Sequence, residues 1–316
     1  MYTFEKEFDV LIERAKAMGR PVRAVVAGAD LENILGGLFE AEAQGICKPI
    51  LVGDRGKIRL LLEKMGLLDR SYEIVNVEHG YSKNDYHNYV TGAISIINEG
   101  RGDILLRGNT STRNFLMPII DKRYQLVDGL VSEVAMVKVP YYNKLLALSD
   151  ASVVIKPSEG QRKKIIKNMV GVLNRLGIEH PSVAVLALAE KPSFHLRDTV
   201  EAQNIVISHQ YEPIADCELV GPIPWDLIVS KESAQLKEYD CPYCGEFDAV
   251  LMPNVMAGNT VMKVLTMSAN VNACGVLAGT KVPMAITSRS SPEEQVYLSL
   301  CVAAAMLKAG EEAKKK

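Results

Sequence analysis

From residue 22 to residue 120, short apolar runs alternate with longer stretches of helical period. Residues 22–27 form a run rich in β-branched valine, and Gly28-Ala29-Asp30 ends it. Residues 31–44 then repeat apolar positions at three- and four-residue spacing, which predicts a helix with Asp30 as its N-cap. Residues 49–53, 72–77 and 103–106 read as further strands. A helical stretch follows each: to about Met65, across 85–98, and from near Thr112. Strands separated by helices of this length predict βαβ crossovers and a mostly parallel sheet, because parallel neighbours need a long return.

The rhythm changes near residue 130. Three strand-like runs, 134–139, 145–148 and 152–155, follow one another through short turns and predict an antiparallel patch at a domain junction. The alternation then resumes, with a helix over 158–176, a strand over 183–189 and helices near 196–207 and 224–239. A strand over 248–252, a helix over 257–268 and strands over 273–278 and 284–287 come next. The last helix begins near Pro292, a favoured first helical residue, and runs to about Leu307, before a solvated Glu-Glu-Ala-Lys-Lys-Lys tail. Two α/β domains are expected, 1–130 with 290–316, and 131–289. The cleft between them is the default place for a site.

Composition narrows the partners. The chain has 316 residues, 48% of them hydrophobic, which is ample for a core and excludes wholesale disorder. With 36 basic against 38 acidic side chains, the net charge of −2 argues against a nucleic-acid partner. No apolar run approaches the ~18 residues of a membrane helix. Glu5, Glu7 and Asp9 precede any apolar stretch, so the start does not read as a signal peptide. Six cysteines in a chain this long do not make a disulfide framework. A cytoplasmic globular protein is expected.

Several tempting patterns fail. Gly53-Asp54-Arg55-Gly56-Lys57 has too few residues between its glycines for a P-loop, and Ile58 stands where Ser or Thr must hold Mg²⁺. Gly28-Ala29-Asp30 has no dinucleotide-fingerprint continuation. Cys241-Pro242-Tyr243-Cys244 has redox spacing, but Gly245-Glu246 and a strand follow it rather than a helix. As a zinc site it is half a signature, with Cys217 and His209 the upstream candidates. His79, His87, His180, His195 and His209 fall in no metallohydrolase spacing. The cluster Arg162, Lys163, Lys164 and Lys167 reads as the solvated face of an amphipathic helix.

Three segments carry more. In the first, Arg107-Gly108-Asn109-Thr110-Ser111-Thr112-Arg113, a buried strand ends in glycine and hydroxyls at a helix start. Backbone N–H groups, hydroxyls and Arg113 there suit an anion, or Thr110 or Thr112 is an N-cap. The second is Pro253-Asn254-Val255-Met256-Ala257-Gly258-Asn259 with Lys263. It sets two amides and a glycine at a strand end, where open α/β sheets bind ligands, unless the amides only cap and turn the chain. The third, Thr287-Ser288-Arg289-Ser290-Ser291 before Pro292, reads as phosphate recognition, with capping of a neighbouring helix as the alternative.

These segments resemble the phosphate acetyl/butyryltransferase family, and the butyryl branch in particular. The pattern Pro253-Asn254-x-x-Ala257-Gly258-Asn259-x-x-x-Lys263 is similar to its signature, as is Gly279-x-Lys281-x-Pro283 followed by Ile286-Thr287-Ser288-Arg289. Asp128-Gly129, Ser132-Glu133-Val134, Leu145-Leu146 and Ser149-Asp150-Ala151 resemble the butyryl branch, and the match spans nearly the whole chain.

The resemblance implies a two-domain α/β fold like that of isocitrate dehydrogenase, with mostly parallel sheets and an interdomain cleft. It implies reversible acyl transfer between coenzyme A and inorganic phosphate, with no metal, no covalent intermediate and no tightly bound cofactor. Acyl-CoA and phosphate are then the partners, and a homo-oligomer, a dimer or a multiple of dimers, is expected. Ser288, Arg289, Asn254 and Asn259 become catalytic candidates. Gly108, Thr110, Thr112, Arg113, Gly258, Lys263 and Thr287 become binding candidates. Three departures stand out: Ser290 and Gln295 replace the Gly and the basic Asp of the acetyl branch, Met256 replaces a frequent Glu, and Cys241 and Cys244 are unusual. Gln295 cannot take a thiol proton, which leaves Glu293, Glu294 or Ser288 as substitutes.

Overall fold

The computed structural model describes residues 2, 4–77 and 86–313. Two compact units emerge, one of residues 1–129 with 274–316 and one of residues 130–273. Residues 274–289 thus lie in the first unit, where the sequence reading puts them in the second.

The first unit follows the βα rhythm. After α1 (Asp9–Lys16) come β1 (Val22–Ala27), α2 (Glu32–Ala43), β2 (Cys47–Gly53), α3 (Arg55–Lys64), β3 (Glu73–Asn76), α4 (Tyr86–Asn98), β4 (Ile104–Arg107) and α5 (Thr112–Ile120). Asp85, where the sequence starts the fourth of these helices, lies outside the described residues, as do His79 and the last three lysines. The strand β5 (Val127–Val137) leaves this unit for the second.

The second unit continues with β6 (Leu146–Ser149), α6 (Glu159–Arg175), β7 (Ser182–Leu186), α7 (Arg197–Tyr211) and β8 (Glu218–Ile223). Two short helices, α8 (Trp225–Val229) and α9 (Lys231–Leu236), precede β9 (Ala249–Leu251) and α10 (Val255–Lys263). The chain returns through β10 (Ala273–Thr280), β11 (Met284–Ala285) and α11 (Glu293–Ala313). Among the described residues, no helix is long and apolar enough to cross a membrane.

In the first unit the strand order is β3-β2-β1-β4-β11-β10, parallel except for the β10–β11 pair. The chain moves outward from β1 to β3 and then returns to place β4 on the other side of β1. That reversal makes a topological switch point at the carboxyl ends of β1 and β4. β1 and β4 are buried almost throughout, as central parallel strands covered on both faces must be. Helix α11 packs on α1 and α2. It comes so near that a Cβ on Gly37 would lie 2.4 Å from the Glu293 carbonyl oxygen.

In the second unit the order is β5-β6-β9-β7-β8, with β5–β6 antiparallel and the rest parallel. The antiparallel patch expected near residue 130 is therefore a β5–β6 pair. Residues 152–155 do not extend it. Their backbone N–H groups turn inward to the Asp150 carboxylate, so none of Ser152, Val153 or Val154 has its N–H available to a ladder.

Other elements differ from the sequence expectation for local reasons. The helix expected over 224–239 is broken at Ser230, whose extended backbone and hydroxyl cap α9. Strand β8 is absent from the sequence reading because Gly221 and Pro222 interrupt its apolar run. A proline there is tolerated at the sheet edge, where one side of the strand is unpaired. Helix α6 starts where expected, in a capping box between Ser158 and Gln161. Helix α11 begins one residue after Pro292 and extends past Leu307 to Ala313.

Candidate active site

In the first unit, the loops after β1, β4 and β11 are tied together. Gly108 N–H donates to the Ala27 carbonyl at 3.1 Å and Asn109 N–H to the Gly28 carbonyl at 2.8 Å. Gly108 is required by this approach, since a Cβ there would lie 2.0 Å from the Gly28 oxygen. Gly28 takes φ of +84°, a conformation that only glycine adopts without strain.

The buried Arg107 closes the cluster. Its Nε and Nη2 donate to the Thr110 carbonyl at 3.1 and 2.8 Å, and Nη1 donates to the Thr287 carbonyl at 3.2 Å. Asn33, on α2, donates through Nδ2 to the carbonyls of Arg289 at 3.1 Å and Ser291 at 2.7 Å. Residues 288–291 form a turn in which Ser291 N–H reaches the Ser288 carbonyl at 3.0 Å and Ser288 N–H donates to Ser291 Oγ at 3.1 Å.

The first and third sequence segments are thus one locus. The cap of α5 is Ser111, whose Oγ accepts from Asn114 N–H at 3.1 Å, and neither Thr110 nor Thr112 serves that role. Thr110 and Thr287 are 1% and 9% exposed, and neither hydroxyl has a hydrogen-bond partner among the described residues. Arg113, Ser288 and Arg289 are exposed, and neither guanidinium makes an ion pair among the described residues. Gly108, Thr110, Thr112, Arg113, Thr287, Ser288 and Arg289 all belong to this unit. A buried polar cluster flanked by two uncommitted cations is electrostatically suited to an anion.

Two sequence expectations change here. Asp30 does not cap α2: the N-cap is Leu31, without a side-chain bond, and Asp30 Oδ1 is buried without a hydrogen-bond partner among the described residues. Glu293, a candidate base, has its carboxylate against Gly36 and accepts from Tyr2 Oη at 2.8 Å. Burial, then that bond, holds the Tyr2 phenol far above its ordinary pKa. A carboxylate so engaged is a packing element of the α2–α11 contact.

In the second unit, the loops after β6 and β9 meet at a buried carboxylate. Asp150 Oδ1 accepts from the N–H of Ser152 at 2.8 Å and Val153 at 3.0 Å, and Oδ2 from Val154 at 3.0 Å. Burial holds its carboxyl above the usual range, although these donors oppose the shift. Gly258 packs on the same turn, and a Cβ there would lie 2.4 Å from the Asp150 carbonyl oxygen. Asn259 Nδ2 donates to the Ala151 carbonyl at 3.1 Å. Asn254 caps α10, its Oδ1 accepting from Ala257 N–H at 3.0 Å. Lys263 is exposed at the end of that helix.

Arg162 corrects the reading of its cluster as a solvated face. It is 6% exposed, pairs with Glu201 at 2.5 Å and donates to the Pro253 carbonyl at 3.4 Å, bracing the residue before Asn254. Arg107 and Asp150 act through backbone carbonyls or amides, and Arg162 through the Pro253 carbonyl and the distant Glu201 carboxylate. Their partners are distant in sequence or are main-chain atoms, so no side-chain spacing could signal them.

Cys241 and Cys244 sit in a turn between α9 and β9. Burial, with the neighbouring Cys241 thiol second, pushes the Cys244 thiol up to about 12, so it is a packed core thiol rather than a reactive one. Among the described residues, no group of three His, Cys, Asp or Glu side chains is placed to hold a metal ion.

The family described as "Phosphate acetyl/butaryl transferase" matches residues 81–304. A phosphate butyryltransferase of Clostridium beijerinckii is 31% identical over 300 residues, 95% of this chain and 97% of its own. A phosphate acetyltransferase of Rhizobium meliloti is 29% identical, over 94% of this chain and 92% of its own. The crystal structure of a branched-chain phosphotransacylase from Enterococcus faecalis V583 superposes with a TM-score of 0.78 at 26% identity, covering 90% of this chain and 99% of its own. With a family match across most of its length and full-length relatives of the same kind, this chain belongs to the phosphate acetyl/butaryl transferase family.

Proposed function

We propose that the chain catalyses reversible transfer of a short, butyryl-like acyl group between coenzyme A and inorganic phosphate. The observation that carries this reading is the Arg107-centred cluster of the first unit. It joins the Gly108–Arg113 and Thr287–Arg289 segments into one anion-suited locus.

In this reading Arg289 and Arg113 hold phosphate, with the Thr110 and Thr287 hydroxyls and the Thr112 region completing its contacts. A phosphate oxygen attacks the thioester carbonyl, the new C–O bond forms, and the C–S bond breaks with the electron pair leaving on sulfur. The tetrahedral intermediate carries an oxyanion, for which the side-chain amides of Asn254 and Asn259 are the assigned donors. Gly258 lets α10 approach its turn, and Lys263 offers a cation to an anionic group of acyl-CoA. With no bond made to the enzyme, most of the rate comes from positioning. The enzyme works as a cytoplasmic homo-oligomer, a dimer or a multiple of dimers, without a tightly bound cofactor.

The test is thiol release from butyryl-CoA, with acetyl-CoA as the competing acyl donor, in the presence and absence of phosphate and with a chelator. Phosphate-dependent release, faster with butyryl-CoA and insensitive to the chelator, is expected. A higher kcat/KM for acetyl-CoA would replace the acyl group. Absence of phosphate-dependent release would overturn the reading.

A further inference from the structure

In the first unit, a set of three polar atoms that are buried without hydrogen-bond partners among the described residues stands at the carboxyl ends of three adjacent strands. Asp30 Oδ1 follows β1, Thr110 Oγ1 follows β4 and Thr287 Oγ1 follows β11. The segment carrying Asp30 is pinned on both sides: Gly28 accepts from Asn109, and Asn33 donates to Arg289 and Ser291. Arg107 in turn links Thr110 to Thr287.

Buried polar atoms are normally satisfied, and a carboxylate oxygen without a donor is among the costliest exceptions. The two hydroxyls can donate. The carboxylate can only accept. A ligand that satisfies all three must offer several acceptors and one proton.

We propose that Asp30 makes this locus select monohydrogen phosphate over sulfate, by accepting the single O–H that phosphate carries. The inference rests on the reading of this unit as the phosphate-binding part. Sulfate has nearly the same size and the same charge, and it satisfies arginines and hydroxyls equally well. It has no proton at neutral pH, so its oxygen would meet the Asp30 carboxylate as like charge against like, with no hydrogen bond between them. Discrimination then comes from one acceptor placed among donors, an attractive contact for one anion and a repulsive one for the other.

The test is calorimetric titration of the full-length protein with inorganic phosphate and with sulfate, with and without coenzyme A. The parent should prefer phosphate by about 100-fold or more, as sites built around one buried hydrogen bond do. Asp30→Asn keeps the shape but replaces one acceptor with a donor. The preference should then shrink to about fivefold or less, with phosphate binding weakened and sulfate binding strengthened. Thr110→Val removes a donor common to both anions and should weaken both while leaving their ratio unchanged.

An Asp30→Asn protein that keeps the parent's ratio would overturn the proposal. So would a parent that binds neither anion or binds both equally. Selective phosphate binding without acyl transfer would leave the selector standing and remove the acyltransferase reading. Acyl transfer with a ratio untouched by Asp30→Asn would do the reverse.

Discussion

The guanidinium of Arg107 donates to the backbone carbonyl of Thr287 at 3.2 Å, across 180 residues of sequence. Its Nε and Nη2 donate to the Thr110 carbonyl, so one buried side chain fixes two loops that approach in the fold but not in the chain. Arg107→Lys keeps the charge and loses the fork. Breaking these charge-assisted bonds should cost about 2–4 kcal/mol of stability, read by denaturant unfolding. Turnover should fall by about tenfold or more, because both loops lose their register. Unchanged turnover would show that the loops hold without it.

Arg289 is exposed and makes no ion pair among the described residues, so its fork is available for an anion. Arg289→Lys should lower turnover by about 30- to 1,000-fold, the range for removing one transition-state donor, and weaken apparent phosphate affinity. Affinity for coenzyme A should change little. Loss confined to coenzyme A would reassign the residue to the other substrate.

Two helical glycines should respond to the same substitution with opposite signs. Gly171, in α6, has nothing within 4 Å of an added Cβ, so Gly171→Ala should stabilise by about 0.5–1 kcal/mol through helix propensity. Gly258, in α10, would place its Cβ 2.4 Å from the Asp150 carbonyl oxygen and 3.1 Å from the Ala151 Cα. Gly258→Ala should therefore destabilise by about 1–3 kcal/mol and lower activity, as the β6 and β9 loops are forced apart. Thermal unfolding of the two variants checks both signs.

Asp103, just before β4, accepts from Arg23 Nη2 at 2.7 Å, Arg20 Nη1 at 2.8 Å and the Arg23 backbone N–H at 2.8 Å. Burial favours its neutral form, but the arginine bonds outweigh it and hold the carboxyl well below the usual range. A depressed carboxylate stabilises the fold above its unfolded pKa of about 3.9, and that stability is lost as pH falls below it toward the folded value. Asp103→Asn should cost about 1–3 kcal/mol at neutral pH, and the gap to the parent should close as pH drops. A gap that stays constant down to the acid limit would remove Asp103 as a source of acid sensitivity.

The paired cysteines test the reading of their turn as structural. Cys241→Ser with Cys244→Ser should leave turnover within a few-fold of the parent, with reduced stability from placing a hydroxyl in the core around Phe247. A loss of about 100-fold in turnover with the fold intact by circular dichroism would make the pair part of the active site.

Much of the fold was legible because its signals are local. The β-branched run ending at Ala27, the capping box at Ser158 and the helix-period stretch before Gln44 each announce themselves within a few residues. Strand β8 and the break at Ser230 were not legible. Whether a Gly-Pro pair continues a strand depends on its being at an edge, and whether Ser230 caps or continues a helix depends on what surrounds it. The glycine-and-hydroxyl segments at 108–112 and 287–291 were visible as candidates, but not as one locus.

The sequence by itself determined the α/β alternation, the family and which side chains have the chemistry to meet an anion, since hydrophobic period and side-chain type are properties of the chain. Only the tertiary structure decided which of those residues meet. Asp30 reads in sequence as a helix cap and Arg162 as one of four surface cations. In the fold the first has a buried oxygen without a partner, and the second braces the Pro253 carbonyl. The physical reason is that burial and hydrogen-bond partnership depend on atoms brought close by sheet order. Strand β11 lies beside β4 because the chain returns after an entire second unit, a distance no local pattern encodes.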